Sequence, residues 1–214
     1  IENINTENDI SVYTLKWYTT ETFVVGTEIV KINAGTEKDM TVYAKIYDCC
    51  RTTAEGFVDT ITGLEDGGPY NVIVTGELTA EALTTMVTAM EENSAKMINL
   101  DLSGTTGLTS IGSSAFYKCS GLTSVVIPDS VTSIGSPAFY GCDSLESVHI
   151  SDLAAWCNIE FEAYSANPLD NGAKLYLNGS PVTDLVIPNG VESINSYAFY
   201  NCSSLTSVEI PDSV

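Results

Sequence analysis

The sequence has a single histidine, His149, and few basic residues, with 8 Lys plus Arg against 28 Asp plus Glu in 214 residues. One histidine excludes metal sites built from several imidazoles, and any Ser/His/Asp or Cys/His catalytic group would depend on His149. The formal net charge of −20 repels phosphate backbones and anionic lipids. The composition therefore argues against nucleic-acid binding and against attraction to an anionic membrane surface.

Long apolar runs are also missing, since none approaches the roughly 18 residues that a membrane span needs. The charge is spread evenly: residues 1–98 carry 16 acidic and 6 basic residues, and residues 99–214 carry 12 and 2. No charged tail is set apart to bind a partner. The chain begins at Ile1 without a signal peptide, so we expect a processed or trimmed piece of a protein.

A repeat occupies the second half of the sequence. Copies begin at Leu122 (LTSVVIPDSVTSIGSPAFYGC), Val182 (VTDLVIPNGVESINSYAFYNC) and Leu205 (LTSVEIPDSV), and a degenerate copy ends at Cys119. Equivalent residues of successive copies recur at one constant spacing along the sequence, which equals the spacing from Phe116 to Phe139. We call this spacing the period. Ile187 instead follows Ile150 by more than one and a half periods, which predicts one coil with an insertion over about 152–181.

Each copy has the pattern of one turn of a stacked structure. Val125 and Ile127 alternate with Ser124 and Val126, which predicts a short half-buried strand. Pro128 ends this strand because it has no N–H for the ladder. One coil cannot bury its own apolar edge, so the repeats predict coils stacked around a continuous core.

The V-x-I-P and L-x-I-P segments and the AFYxC boxes resemble the BspA-type (treponemal) leucine-rich repeat of bacterial surface and secreted proteins. The resemblance covers about residues 99–214, and the segments DLAAWCN and KLYLNGSPVTDLVIP of the insertion resemble a variant coil of such proteins. It implies an α+β repeat fold, a leucine-rich-repeat solenoid. It also implies adhesion to host proteins or to other bacteria.

Three further segments precede the repeats. Residues 1–48 predict a small β-rich module, in which WYT, INAGT and DMTVYAKI resemble the second half of the Listeria–Bacteroides repeat and so match only part of it. Residues 49–69 are rich in glycine and are interpreted as a linker. Residues 70–98 predict an N-terminal cap of the solenoid: a strand over 70–75, a helix capped by Thr79 and a strand over 97–102.

Three cysteines, Cys119, Cys142 and Cys202, occupy one repeat position beside Phe116, Phe139 and Phe199. This placement predicts a buried, unbridged ladder of thiols next to stacked phenyl rings. A metal site would need C-x-x-C pairs or histidines, which are missing. Disulfides are not needed in a chain with a core of this size. The redox state of the vicinal pair Cys49–Cys50 and of Cys157 stays open.

Two sets of residues are candidates for partner binding. The first set points outward from the repeat strands: Val126, His149, Val186 and Glu209. The second set follows the repeat phenylalanine and predicts a row of rings along one side: Tyr117, Tyr140 and Tyr200. Two alternatives remain open, that the tyrosines only cover the coil below them and that His149 has no role.

The predicted function is that of a non-catalytic leucine-rich-repeat module for protein–protein interaction or adhesion, outside the cell or on the surface of a bacterium. We assign no catalytic, cofactor-binding or metal-ligating residue, because no nucleophile, P-loop or calcium-loop motif is present. The partner is a host or bacterial surface protein of unknown identity. The alternatives are a structural spacer that displays another domain and, third, an enzyme of unknown type.

The sequence stops at Val214, at the position equivalent to Val131 and part-way through a coil. We therefore expect further repeats after it. Without them, the strand over 205–210 would expose backbone N–H and C=O groups that no neighbouring strand pairs with. Residues 205–214 should then be more mobile than residues 122–134, or be covered by another molecule, which hydrogen exchange would measure.

Overall fold

The structure is a computed structural model that describes residues 49–214. The predicted β-rich module over 1–48, with its resemblance to the Listeria–Bacteroides repeat, lies outside the described residues. Three helices occur in the described part: α1 (Phe57–Gly63), α2 (Ala80–Glu92) and α3 (Leu153–Cys157). Short 3-10 turns span Tyr164–Ala166 and Pro168–Asn171. None of these helices is long and apolar enough to cross a membrane.

Twelve strands are described in this part of the chain. They are β1 (Cys49–Thr53), β2 (Gly67–Glu77), β3 (Lys96–Thr106), β4 (Ser110–Ile111), β5 (Leu122–Val126), β6 (Ser133–Ile134), β7 (Ser147–Ile150), β8 (Glu160–Phe161), β9 (Lys174–Leu177), β10 (Ser180–Pro181), β11 (Asp184–Val186) and β12 (Ser207–Glu209).

The strands form three sheets. The largest has the order β1-β2-β3-β5-β7-β9-β10, and its strands pair in parallel except for the antiparallel β10. A second parallel sheet contains β4, β6 and β8, and β11 pairs with β12 in a third. Successive repeats thus place equivalent residues side by side, as Val125 pairs with Val148. One apolar core continues from Phe57 to Ala198.

The interpretation of residues 49–69 as a linker is wrong. They contain strand β1, which pairs in parallel with β2, and helix α1. Phe57 and Ile61, one turn apart on the same face of this helix, are fully buried in the core. Among the glycines on which that interpretation rested, Gly56 caps the start of the helix and Gly63 ends it, and the others begin β2.

The predicted helix after Thr79 is confirmed. The Thr79 side chain accepts a hydrogen bond from the Ala82 backbone N–H at 3.2 Å, and the apolar face of α2 is buried from Leu83 to Met90. Strand β3 follows and begins at Lys96, which is buried. Its ammonium group donates to Ile61 O at 2.8 Å, to Thr62 O at 3.2 Å and to Asn93 Oδ1 at 2.9 Å. Lys96 therefore joins the ends of the two helices.

The segment over 152–181 supplies a complete coil. Its strands β8 and β9 pair in parallel with β6 and β7, and Val148 pairs with Leu175, slightly more than one period further along the chain. A tight hairpin of β9 and β10 follows and leads into β11. The long spacing from Ile150 to Ile187 thus comes from one lengthened coil and a hairpin step, rather than from a regular coil with an inserted loop.

The repeat phenylalanines and cysteines are buried in two of the three copies. Phe116 and Phe139 stack with ring centroids 4.9 Å apart and planes 10° apart, and Cys119 and Cys142 are buried beside them. Phe199 and Cys202 are only half-buried, so the prediction of burial is wrong for this copy. The coil that would cover them is not present in the described residues, where β12 is fully exposed. The mobility expected for residues 205–214 stays a prediction.

The thiols should differ in reactivity according to this burial. Cys119, Cys142, Cys157 and Cys202 are unbridged. Burial raises the pKa of Cys142 to about 12 and that of Cys157 to about 11, and it raises the pKa of Cys119 further. Since the thiolate is the reactive form, we expect alkylation of the native chain at pH 8 to modify the half-buried Cys202 well before the three buried cysteines, Cys119, Cys142 and Cys157. Mass spectrometry of labelled peptides would measure this order, and denaturant should abolish it.

The same shifts give a pH dependence of stability. A thiol whose pKa is higher in the folded chain favours folding while it stays protonated. This contribution is complete below the ordinary thiol pKa of about 8.5 and is lost as the pH rises from there toward 12.

Candidate functional site

The outward face of the seven-stranded sheet carries two rows of side chains in register. We define the polar row as Asn71, Asn99, Ser124, Ser147 and Lys174, and the mixed row as Ile73, Asp101, Val126, His149 and Tyr176. The residues that alternate with them, among them Leu100, Val125 and Val148, are buried in the core. The period of two along each strand therefore leaves both rows on the solvent side.

Hydrogen bonds between strands hold the polar row. Asn99 Nδ2 donates to Asn71 Oδ1 at 2.9 Å, and Thr123 Oγ1 donates to Asn99 Oδ1 at 2.8 Å. Further along, Ser147 Oγ donates to Ser124 Oγ at 2.9 Å. These side chains are oriented by their neighbours, so the polar row presents fixed donors and acceptors next to the mixed row.

His149 lies between Val126 and Tyr176 in the mixed row and points outward, as predicted. Its ring stacks on Tyr176 with centroids 4.7 Å apart and planes 22° apart, and its Nε2 lies 3.1 Å from Ser147 Oγ. Burial lowers the pKa of His149, and the Asp101 carboxylate opposes this shift only in part. The imidazole is therefore neutral at pH 7. Holding it neutral favours the folded chain above the ordinary histidine pKa, and this stabilisation is lost as the pH falls below that value toward the lowered pKa.

The pair of Ser147 and His149 is not arranged as a nucleophile and its base. The Ser147 hydroxyl donates its hydrogen to Ser124 Oγ, away from the imidazole. The nearby Asp101 carboxylate accepts from the Ser103 backbone N–H at 2.8 Å. Within residues 49–214, no group of three His, Cys, Asp or Glu side chains could hold a metal ion.

Val186 and Glu209 lie in a different sheet from Val126 and His149. They pair with each other across β11 and β12, and the antiparallel strand β10 occupies the free edge of β9. The four predicted outward positions therefore form two separate surfaces. Val186 is 56% exposed. Next to it, hydrogen bonds from Ser207 and Thr206 hold the pKa of Asp184 below its usual range.

The predicted tyrosine row is divided into two groups. Tyr117 and Tyr140 stack with centroids 5.8 Å apart, and the Lys118 ammonium lies 5.1 Å from the centroid of the Tyr117 ring. Tyr200 instead contacts Tyr164 at 5.4 Å and Tyr197 at 6.3 Å between centroids. We call these last three residues the tyrosine cluster.

The sequence analysis missed the polar row, and it missed three tyrosines of these surfaces. Tyr176 was missed although KLYL alternates in the way a half-buried strand does, which would have placed its ring outward. Tyr164 belongs to a coil that lacks the regular period, and Tyr197 precedes the AFY box at a position where other copies have Ser114 and Pro137. No periodic signal marks these last two residues.

Comparison with known protein families identifies the repeat. A family model described as BspA type leucine-rich repeat region matches residues 88–171 and 172–214, with six copies of the repeat. The matched segments cover more than half of the chain. No curated protein matches the sequence.

Proposed function

The chain belongs to the BspA-type leucine-rich repeat family, and on this basis we propose that it is a non-catalytic protein-interaction module of a bacterial surface or secreted protein. In this proposal residues 99–214 act as a solenoid scaffold, and residues 49–98 cover its first coil. The parallel pairing from β1 through β9 supports this arrangement. So does the burial of Phe57, Ile61 and Met86 in the core that the repeats share.

The observation that carries the proposal is the mixed row. Its aromatic pair, His149 and Tyr176, is half-exposed and lies between Val126 and the edge of the sheet. An ordered aromatic pair offers apolar contact area at little cost in side-chain entropy, because the rings are already fixed. Hydrogen-bonding groups of the polar row lie next to it, which is the composition of a protein-binding surface.

The partner in this proposal is a protein on a host cell or on another bacterium. The formal net charge of −20 disfavours partners with phosphate backbones, and the leucine-rich-repeat family favours a protein as the partner. The chain would work outside the cell, where adhesion requires it. Neither the identity of the partner nor the mode of anchoring enters the proposal.

The test compares beads coated with the intact chain and with the variant His149→Ala/Tyr176→Ala. We expect the variant to reduce attachment of the beads to host cells or to other bacteria by about tenfold, as for the loss of a central aromatic contact. The variant Tyr140→Ala tests the other predicted aromatic surface, the pair of Tyr117 and Tyr140, and should leave attachment unchanged if the mixed row is the binding surface. Attachment is counted by microscopy or flow cytometry.

Two results would count against the proposal. If both variants attach as well as the original chain, the mixed row is not the binding surface. If the original chain promotes no attachment above uncoated beads, the spacer interpretation is favoured. Circular dichroism of each variant checks that the fold is kept.

A further inference from the structure

The tyrosine cluster is an exposed aromatic surface on the last two coils. Tyr164, Tyr197 and Tyr200 are 51%, 43% and 42% exposed, although each ring contacts another. Tyr164 and Tyr200 are tilted by 41°, and Tyr197 meets Tyr200 edge to face at 77°. The cluster therefore presents ring faces in several orientations rather than one flat stack.

The backbone holds Tyr197 in an unfavourable conformation. Its φ is 66°, in the left-handed region that residues other than glycine and asparagine rarely adopt. The buried amide of Asn167 donates to Tyr197 O at 2.6 Å and to Ala198 O at 3.1 Å. The Asn167 carbonyl accepts from Leu169 N–H at 2.9 Å, so the amide is fixed. A bulky ring is thus kept at a position where glycine would be less strained.

The charge around the cluster has one sign. Between Cys119 and Val214 the sequence has eleven Asp and Glu residues against one lysine, Lys174, which lies in the polar row of the large sheet. Exposed carboxylates precede the rings along the chain: Glu160 and Glu162 before Tyr164, and Glu192 before Tyr197. Ring faces carry partial negative charge, so both features attract cations.

One tyrosine of the same repeat position already has a cation over its ring. The Lys118 ammonium lies 5.1 Å from the Tyr117 centroid, within the range of a cation–π contact. At the position of Lys118, the copy that contains Tyr200 has Asn201 instead. The chain does not place a cation after this ring in the way it does after Tyr117.

We propose that the tyrosine cluster binds a cationic segment of a partner protein, with arginine side chains packed on the rings of Tyr164, Tyr197 and Tyr200. The net negative charge of this half of the chain adds a general attraction for such a segment. This surface lies outside the mixed row, so it goes beyond the function proposed above. Arginine is favoured over lysine because its planar guanidinium stacks on aromatic faces and is more weakly hydrated.

The test uses a short synthetic peptide of arginines separated by glycine and serine, and the same peptide with lysines. Binding to the intact chain is measured by calorimetry at physiological ionic strength, where long-range attraction is screened. We expect the arginine peptide to bind more tightly than the lysine peptide. Tyr164→Leu/Tyr200→Leu should weaken binding of the arginine peptide by about five- to thirtyfold, since two cation–π contacts are lost.

Tyr197→Gly separates binding from folding. Glycine accepts the left-handed backbone, so the thermal midpoint should stay the same or rise, while the arginine peptide binds about two- to fivefold more weakly. Tyr140→Leu is the matched control, because it removes an exposed tyrosine outside the cluster. It should leave binding of the arginine peptide unchanged.

Three results would overturn the proposal. Equal affinity for the arginine and lysine peptides, unaffected by the cluster variants, would show attraction by net charge alone. Equal losses with Tyr140→Leu would show that the cluster has no special role. Tighter binding of an uncharged oligosaccharide, abolished by the cluster variants, would assign the rings to a glycan. The variant His149→Ala/Tyr176→Ala should bind the arginine peptide normally, which keeps this test separate from that of the mixed row.

Discussion

Replacement of Phe139 by alanine is expected to lower the free energy of unfolding by about 3–5 kcal/mol. The side chain is fully buried and stacks on Phe116 at 4.9 Å between centroids. The coils on either side are held by backbone hydrogen bonds, among them Phe116 N–H to Ala138 O at 2.7 Å. They cannot collapse into the cavity without breaking these bonds, so most of the cavity should remain. Urea unfolding, followed by circular dichroism, measures the loss.

Phe199→Ala is the matched control for this experiment. Phe199 has the same place in the repeat, but it is only half-buried. Less apolar surface is removed from water on folding, so its truncation should cost less than that of Phe139. Equal losses for the two variants would show that Phe199 is covered in solution, in contrast to its exposure in the structure.

The stacking of the repeats could be predicted because the same residues recur at the same position. The alternation around Val125 determines which side chains face the core, and parallel pairing one period apart then brings Val126 next to His149. Phe116, Phe139, Cys119 and Cys142 are buried as predicted for the same reason. Where successive copies keep the same period, the side chains that are buried in one copy predict those that are buried in the next.

Burial at the edge of the array could not be predicted from the repeat. Phe139 and Phe199 occupy identical positions in the pattern, yet one is buried and the other half-exposed. The difference comes from the neighbouring coil, which the sequence of a single copy does not describe. The same limit applies to the linker interpretation of 49–69. Its glycines pointed to a connector, whereas Phe57 and Ile61 are buried by contacts with distant parts of the chain.

The candidate surfaces were predicted only where they follow the period. Val126 and His149 were placed correctly side by side, but Val186 and Glu209 lie in another sheet because the β9–β10 hairpin intervenes. Tyr176 and Tyr164 come from the segment over 152–181, whose coil is longer than the period of the other copies. Their neighbours are set by pairings that have no counterpart in the other copies.

Trp156 in α3 should be as important to stability as Phe139, although no repeat position marks it. It is 1% exposed, and it meets Phe161 edge to face at 5.4 Å between centroids. Its indole Nε1 donates to Ala198 O at 2.9 Å, which joins the segment over 152–181 to the coil that contains Tyr197 and Tyr200. Trp156→Ala removes both the packing and this bond.

We expect Trp156→Ala to cost about 3–5 kcal/mol of unfolding free energy, with increased hydrogen exchange over residues 182–204. Trp156→Phe is the control, because it keeps an aromatic ring and loses the indole N–H. The Asn167 amide still donates to Ala198 O at 3.1 Å in that variant, so this carbonyl keeps a partner. The loss should then be about 1 kcal/mol. Circular dichroism is the measurement of choice, since tryptophan fluorescence changes with the substitution itself. Similar losses for the two variants would mean that the hydrogen bond, rather than the packing of the ring, joins the two coils.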